Sequence, residues 1–310
     1  MTRWPSLLGS LGAEQFLRDY WQQQPLLIRA ALPIAAQPPL QPDELAGLAL
    51  EEWIESRLID STTWQVEHGP LTEQRFAQLP ERDWTLLVQA VDLWRPEVAA
   101  LLDSVDFLPR WQVDDIMVSY AAAGGNVGPH IDNYDVFLLQ GLGRRRWQIE
   151  TQRRDYCSSE QSGALRLVDD FSPDREWLLE PGDVLYLPAK FAHHGVAVEP
   201  CMTYSIGFRA PSSTEMINDL AIDLLAGDAD PDFLRIPPGA ELDQIDERQV
   251  AAVSAQLRRR LDDSALLGDW YARYMSRPKY PDLLELSGEQ RTLQWRGVCY
   301  CNGERVEPER

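Results

Sequence analysis

Apolar and polar positions change rhythm along the chain. Between Ile116 and Arg209, short apolar runs alternate with glycine-rich turns. The runs at 115–121, 134–140, 144–150, 164–168, 177–180, 183–187 and 203–208 predict closely spaced strands. Strands this dense point to an antiparallel barrel or sandwich. Ahead of them, helices and strands mix. Residues 13–22 predict a helix, 25–29 a buried strand and 33–42 a proline-rich connector, and Asp43 is expected to cap a helix running to about Arg57. Segments 63–67 and 84–88 read as strands around another short helix. After Pro211 the period lengthens. Residues 214–226 put Met216, Leu220, Ile222 and Leu225 broadly on one helical face. Helices over 246–261 and 263–274 follow, with Arg258, Arg259 and Arg260 in the last turn of the first. The tail offers a strand, an Asn302-Gly303 turn and a short return.

Composition narrows the function classes. The chain has 310 residues, 44% hydrophobic and 25% charged, the balance of a globular protein with one large core and smaller satellites. No apolar run approaches the roughly 20 residues of a bilayer span, so no membrane association is expected. The opening Met1-Thr2-Arg3-Trp4-Pro5 lacks a secretory apolar stretch, which makes the cytoplasm the expected compartment. Cys157, Cys201, Cys299 and Cys301 are too few and too irregular for a disulfide framework. Cys299-Tyr300-Cys301 has no second pair nearby to complete a metal site. The net charge of −20 argues against direct nucleic-acid binding and is compatible with a basic partner. Positive charge is nearly all arginine, the lysines being Lys190 and Lys279.

Three of the four histidines fall in two stretches some sixty residues apart. The first runs Gly124-Gly125-Asn126-Val127-Gly128-Pro129-His130-Ile131-Asp132, and the second runs from Gly182 to His193-His194. An H-x-D with one further histidine is the facial triad that holds iron(II) and leaves positions open for oxygen chemistry. Alternate residues of an extended chain share a face, so His130 and Asp132 can point together. Gly124, Gly125 and Gly128 give the loop that delivers them backbone freedom. Gly124 lies six residues before His130, as in the first cupin motif. The Gly182…Pro188…His193 spacing is that of the second. His194 competes for the third position, but a shift of one residue turns a side chain to the opposite face. Lys190 stands where the cupin spacing usually has glycine, a solvated cation in its simplest reading.

The chain resembles the JmjC ribosomal oxygenases, the bacterial branch that hydroxylates an arginine of large-subunit ribosomal protein L-sixteen. The resemblance covers most of the chain. It runs through Phe16, Tyr20-Trp21 and Pro25-Leu26-Leu27-Ile28-Arg29, then Gly128-Pro129-His130-Ile131-Asp132-Asn133-Tyr134-Asp135-Val136-Phe137. It continues through Gln140-Gly141-Leu142-Gly143-Arg144-Arg145-Arg146-Trp147 and from Gly182 to Gly195. It implies a mainly β protein with α elements: a double-stranded β-helix (the JmjC/cupin jelly roll) with flanking helices, a helical dimerisation region and a short C-terminal segment. The implied divisions are an N-terminal elaboration over 1–90, the β-helix over 91–211, the dimerisation helices over 212–276, and 277–310. The last is short for the winged-helix-like domain of the family, and reads as a partial one. Iron(II) and 2-oxoglutarate are the implied cofactor and co-substrate, with succinate and carbon dioxide released as a C–H bond is oxidised. A basic ribosomal protein is the implied substrate, and a homodimer the implied assembly.

Strand parity then places the remaining contacts. In Arg144-Arg145-Arg146-Trp147-Gln148-Ile149, Arg145 shares the apolar face with Trp147 and Ile149 and should point inward. A guanidinium there can grip the far carboxylate of 2-oxoglutarate, the role the resemblance also gives it. On the first barrel strand Asp115, Met117 and Ser119 share a side. Ser119 can bond the co-substrate, while Asp115 and Tyr134, with Met117, are expected to meet an arginine side chain; by parity alone the adjacent Asp114 competes with Asp115. A JmjC demethylase, or a hydroxylase of another residue such as histidine, would share iron and co-substrate. A catalytically silent cupin that binds a basic protein would need neither the triad nor an inward Arg145.

Overall fold

The computed structural model describes residues 4–154, 165–227, 233–239 and 243–306; Cys157 lies outside them. The chain forms two units, one of Met1–Ala210 with Glu285–Gly288, the other of Pro211–Leu284 with Glu289–Arg310. The first unit opens with α1 (Ala13–Asp19), β1 (Leu26–Ile28), α2 (Pro42–Leu48), β2 (Ser56–Asp60), β3 (Val66–His68), α3 (Glu73–Ala77), β4 (Trp84–Val88) and α4 (Pro96–Ala99). It continues with β5 (Val113–Ala121), β6 (Val136–Leu142), β7 (Arg145–Arg153), β8 (Arg175–Leu179), β9 (Val184–Leu187), β10 (Phe191–Ala197) and β11 (Cys201–Phe208).

Two sheets result, one of order β1-β9-β6-β11-β5-β4-β2-β3 and one of order β10-β7-β8. In the large sheet β6, β9 and β11 are buried on both faces, and parity decides which residue serves which. Phe137, Leu139, Ile116, Val118, Tyr186 and Ile206 join Phe16, Leu45 and Leu48 of the N-terminal helices in the main core. Phe16 meets Tyr186 edge-on, with ring centroids 5.0 Å apart. The alternate residues Val136, Leu138, Leu185 and Leu187 pack instead on Trp147, Ile149 and Leu179 of the small sheet. Each such side chain contributes ~1.5–3 kcal/mol by leaving water. The facing sheets form the double-stranded β-helix, and polar residues described below meet across them, as Arg145 of β7 and Ser119 of β5 do.

Three expectations are corrected. Asp43 is not the cap of a helix to Arg57: Gln41 and Glu44 form a capping box around Pro42, and α2 stops at Leu48. Residues 56–60 instead pair with β4, because Ser56 and Leu58 find buried places in the sheet that a helix could not give them. The strand expected over 164–168 is absent from its described part, 165–168, where Val168 packs on Ile131 and Ala192 and its N–H donates to Pro129 O. Conversely, no strand was expected over 191–197, where β10 forms; Lys190 adopts a left-handed φ of 69°, and the strand starts just after that turn.

The second unit contains α5 (Ser213–Gly227), α6 (Glu247–Leu261) and α7 (Ser264–Ser276), then the antiparallel strands β12 (Thr292–Trp295), β13 (Val298–Cys301) and β14 (Glu304–Val306). Asp246 and Asp263 cap α6 and α7. Asn302-Gly303 takes positive φ at both residues and closes β13 onto β14, and Arg296-Gly297 repeats the device between β12 and β13. Trp270 and Tyr300 are buried, and their polar atoms donate to Asp219 (2.8 Å) and Asp269 (2.7 Å).

Asp183 is a buried polar tie in the first unit. Its buried carboxylate accepts from Arg29 Nη1 (2.6 Å), the Ala30 N–H (2.9 Å) and the Glu180 N–H (3.0 Å), fastening β1 to the turn before β9. Asp183→Ala should therefore cost about 2–3 kcal/mol in urea unfolding at unchanged m. A midpoint equal to that of the unaltered protein would refute the assignment.

Candidate metal centre and anion pocket

His130 and His193 are brought together by the main chain. Each N–H donates to the other residue's carbonyl at 3.0 Å, an isolated antiparallel bridge between the segment ahead of β6 and β10. Asp132 follows two residues on, its Oδ2 3.6 Å from His193 Nε2 and its Oδ1 4.0 Å from His130 Nε2. Among the described residues His130, Asp132 and His193 form the one group of three possible ligand atoms within 4.8 Å of one another. The imidazoles are set for that purpose. His130 Nδ1 donates to Gly128 O and His193 Nδ1 to Phe191 O, both at 2.9 Å. A carbonyl can only accept, so in the neutral imidazole of each residue Nε2 is the nitrogen left bare, facing Asp132. Burial, reinforced by His130, pushes His193 down to about 4, which keeps it neutral.

His194 points to the other face. Its Nε2 lies 3.1 Å from Asn126 Oδ1, and its ring meets Phe171 edge-on. That removes it from the ligand set.

Arg145 is on the small sheet and 6% exposed. Its Nη1 reaches Ser119 Oγ at 3.5 Å, while Nε and Nη2 are buried with no partner. Its guanidinium carbon lies 5.7 Å from the Trp147 ring, which lies 5.8 Å from the His193 ring. A buried cation with open donors requires an anion. The donor set thus fits a dicarboxylate with one end on Arg145 and the other toward the triad. Two histidine nitrogens and one carboxylate likewise fit iron(II).

Asp115 is buried, and its Oδ2 accepts from Gln89 Nε2 (2.6 Å) and the Ala90 N–H (2.9 Å). A Cβ added to Gly207 would lie 3.8 Å from both Asp115 Oδ1 and Tyr134 Cε2, so the missing side chain leaves the two facing across a gap. Tyr134 is 41% exposed, and the neighbouring Asp132 carboxylate raises its hydroxyl pKa. Met117, half-buried, lies two residues from Asp115 on the same strand.

Residues 100–216 match the model of the JmjC domain. The Escherichia coli ribosomal protein uL16 3-hydroxylase is 34% identical over 96% of this chain and 86% of its own. The chain belongs to the JmjC ribosomal oxygenases. A probable ribosomal oxygenase of Haemophilus influenzae is 40% identical over 76% of this chain and 59% of its own. The Escherichia coli ribosomal oxygenase YcfD in complex with cobalt and 2-oxoglutarate superposes with a TM-score of 0.83 at 32% identity, covering 98% of this chain and 87% of that one. The mainly β, double-stranded β-helix architecture expected from the motifs is therefore that of the family.

Sequence reasoning missed Gln89, Asn126 and Trp147, whose indole N–H is also buried and unpartnered. Asn126 carried a signal: asparagine inside a glycine-rich run orders turns through its amide. Gln89 carried none, because it meets Asp115 only through the pairing of β4 with β5.

His193 generates a pH prediction for the metal-free protein. Its folded pKa lies below the ordinary 6.5, so between 6.5 and about 4 the unfolded chain binds the extra proton. Stability from this group is full above 6.5 and falls as the pH drops toward 4. Melting temperature followed across that window should decline more steeply than in His193→Gln; parallel profiles would overturn the assignment.

Proposed function

We propose that the protein is an iron(II)- and 2-oxoglutarate-dependent hydroxylase of an arginine in ribosomal protein uL16, acting at carbon 3 as the name of the Escherichia coli relative states. The observation that carries it is the buried, part-unpaired Arg145 guanidinium beside a preset His-Asp-His group. When bound, iron(II) with 2-oxoglutarate and dioxygen supplies the oxidising power for an unactivated C–H bond. His130, Asp132 and His193 hold the metal through Nε2, a carboxylate oxygen and Nε2. Arg145 would anchor the far carboxylate of 2-oxoglutarate with its open donors, and the Ser119 hydroxyl, 3.5 Å from Arg145 Nη1, would stand beside it. Trp147 and the sheet around it exclude water from that end.

On the substrate side, Asp115 pairs the target guanidinium. Gln89 and the Ala90 N–H fix Oδ2 in advance, so little ordering is left to the moment of binding. Tyr134 and Met117 flank the aliphatic stem. Holding the reacting carbon over the metal is the work of this clamp, since misplacement by about 1 Å costs ~100-fold in rate. The charge of −20 draws a basic ribosomal protein in and repels nucleic acid phosphates. This reading places the protein in the cytoplasm, where its substrate is made.

We further infer a homodimer through the helices of the second unit. Val250, Val253, Leu257 and Leu261 recur along α6 at helical spacing and are exposed, as are Ile217, Ile222 and Leu225 on α5. Leu257→Glu should convert a dimer to a monomer in sedimentation; a wild-type monomer at micromolar concentration excludes this assembly.

Hydroxylation is tested by mass spectrometry of a uL16 peptide after incubation with protein, iron(II), 2-oxoglutarate and air. A gain of one oxygen on an arginine, absent with Asp132→Ala, is expected. Succinate formed without peptide oxidation would discard the target and keep the oxygenase. Neither product would sink the reading and leave a silent basic-protein binder.

A further inference from the structure

The loop that delivers His130 is shaped by one side chain. Asn126 Nδ2 donates to Gly124 O (2.9 Å), and Asn126 Oδ1 accepts the Gly128 N–H (3.0 Å). These backbone partners fix which end of the amide is which, since an N–H only donates and a carbonyl only accepts. The same Oδ1 faces His194 Nε2 at 3.1 Å. His194 must therefore carry a proton on Nε2, the reverse of the tautomer set in His130 and His193. One residue further along the loop than Val127, Gly128 offers the carbonyl that takes the His130 Nδ1 proton (2.9 Å). The main chain of Asn126 is itself fastened, its N–H to Ser61 Oγ (2.8 Å) and its carbonyl from Ser61 Oγ (2.6 Å).

We propose that His194 and Asn126 are positioning residues of the metal centre: His194 on β10 donates to Asn126, and Asn126 holds Gly128 by its N–H, so that the Gly128 carbonyl in the next peptide unit sets the tautomer and direction of His130. The path crosses the backbone of Gly128, whose N–H and carbonyl lie in successive peptide units and whose φ is 77°. It begins on the residue next to one ligand and ends on the ring nitrogen of another. It also supplies a reason for two adjacent histidines. Their opposite faces let β10 coordinate with His193 while gripping the facing loop with His194. Phe171 holds the His194 ring at a centroid distance of 6.1 Å and an interplanar angle of 83°. The bare Nε2 of His130 is the endpoint, and a Gly128 carbonyl turned away would leave that ring free to present either nitrogen. The inference rests on the metal reading above.

Cobalt(II) titration of the full chain, followed by visible absorption, tests it. Asn126→Ala and His194→Phe should weaken cobalt binding roughly 10-fold or more and change the absorption envelope. His194→Gln places an amide N–H at the reach of Nε2, so it should bind and absorb like the unaltered protein. Wild-type affinity and spectrum in Asn126→Ala would overturn the proposal, and this variant decides if His194→Phe does not fold. Equal weakening in His194→Gln and His194→Phe would also overturn it, assigning the effect to ring packing on Phe171. An unaltered protein that binds no cobalt, matching Asp132→Ala, would instead sink the metal reading itself.

Discussion

A metal site drawn from two distant segments has one requirement that comes before any other: each imidazole must arrive with the correct nitrogen bare. Here the main chain enforces it. The carbonyls of Gly128 and Phe191 each remove the Nδ1 proton from consideration, and the two-bond bridge between His130 and His193 keeps those carbonyls in register. Everything else in the first unit serves that bridge. The large sheet is clamped between aromatic residues of the N-terminal helices and the small sheet, so the end where the strands meet cannot drift. Interiors packed this closely transmit displacement rather than absorb it.

The spacing of the triad was legible because alternate residues of an extended backbone share a face. Periods of two put His130 beside Asp132, separated His193 from His194, and turned Arg145, Ser119 and Asp115 away from solvent. The helices expected over 246–261 and 263–274 are present, and the structure shows Asp246 and Asp263 capping them through N–H groups two and three positions on. What escaped was decided over longer distances. Residues 51–60 have apolar positions compatible with helix or strand, and only the partner β4 selects the strand. The strand β10 was not expected, because it is made by pairing with the distant β7. The Asn126 amide joins a turn to a ring 68 residues away, which no local rule describes.

The second unit follows a different economy. Its short strands bury little, and polar anchors compensate: Asp269 takes the Tyr300 hydroxyl and pairs with Arg273 and Arg305, while Asp219 takes the Trp270 indole. Specific hydrogen bonds of this kind fix geometry in a unit too small to rely on core volume.

Arg145 also says something about the resting molecule. A chain selected for stability alone would place a methionine or leucine there, because a buried charge with open donors is a standing cost. This one keeps the charge, and the deficit is made good when an anion settles on Nε and Nη2. Folded stability and ligand concentration are thereby linked. The protein is at its firmest when supplied with the molecule it consumes, and in scarcity it is the pocket, rather than the surrounding sheets, that carries the unpaired charge.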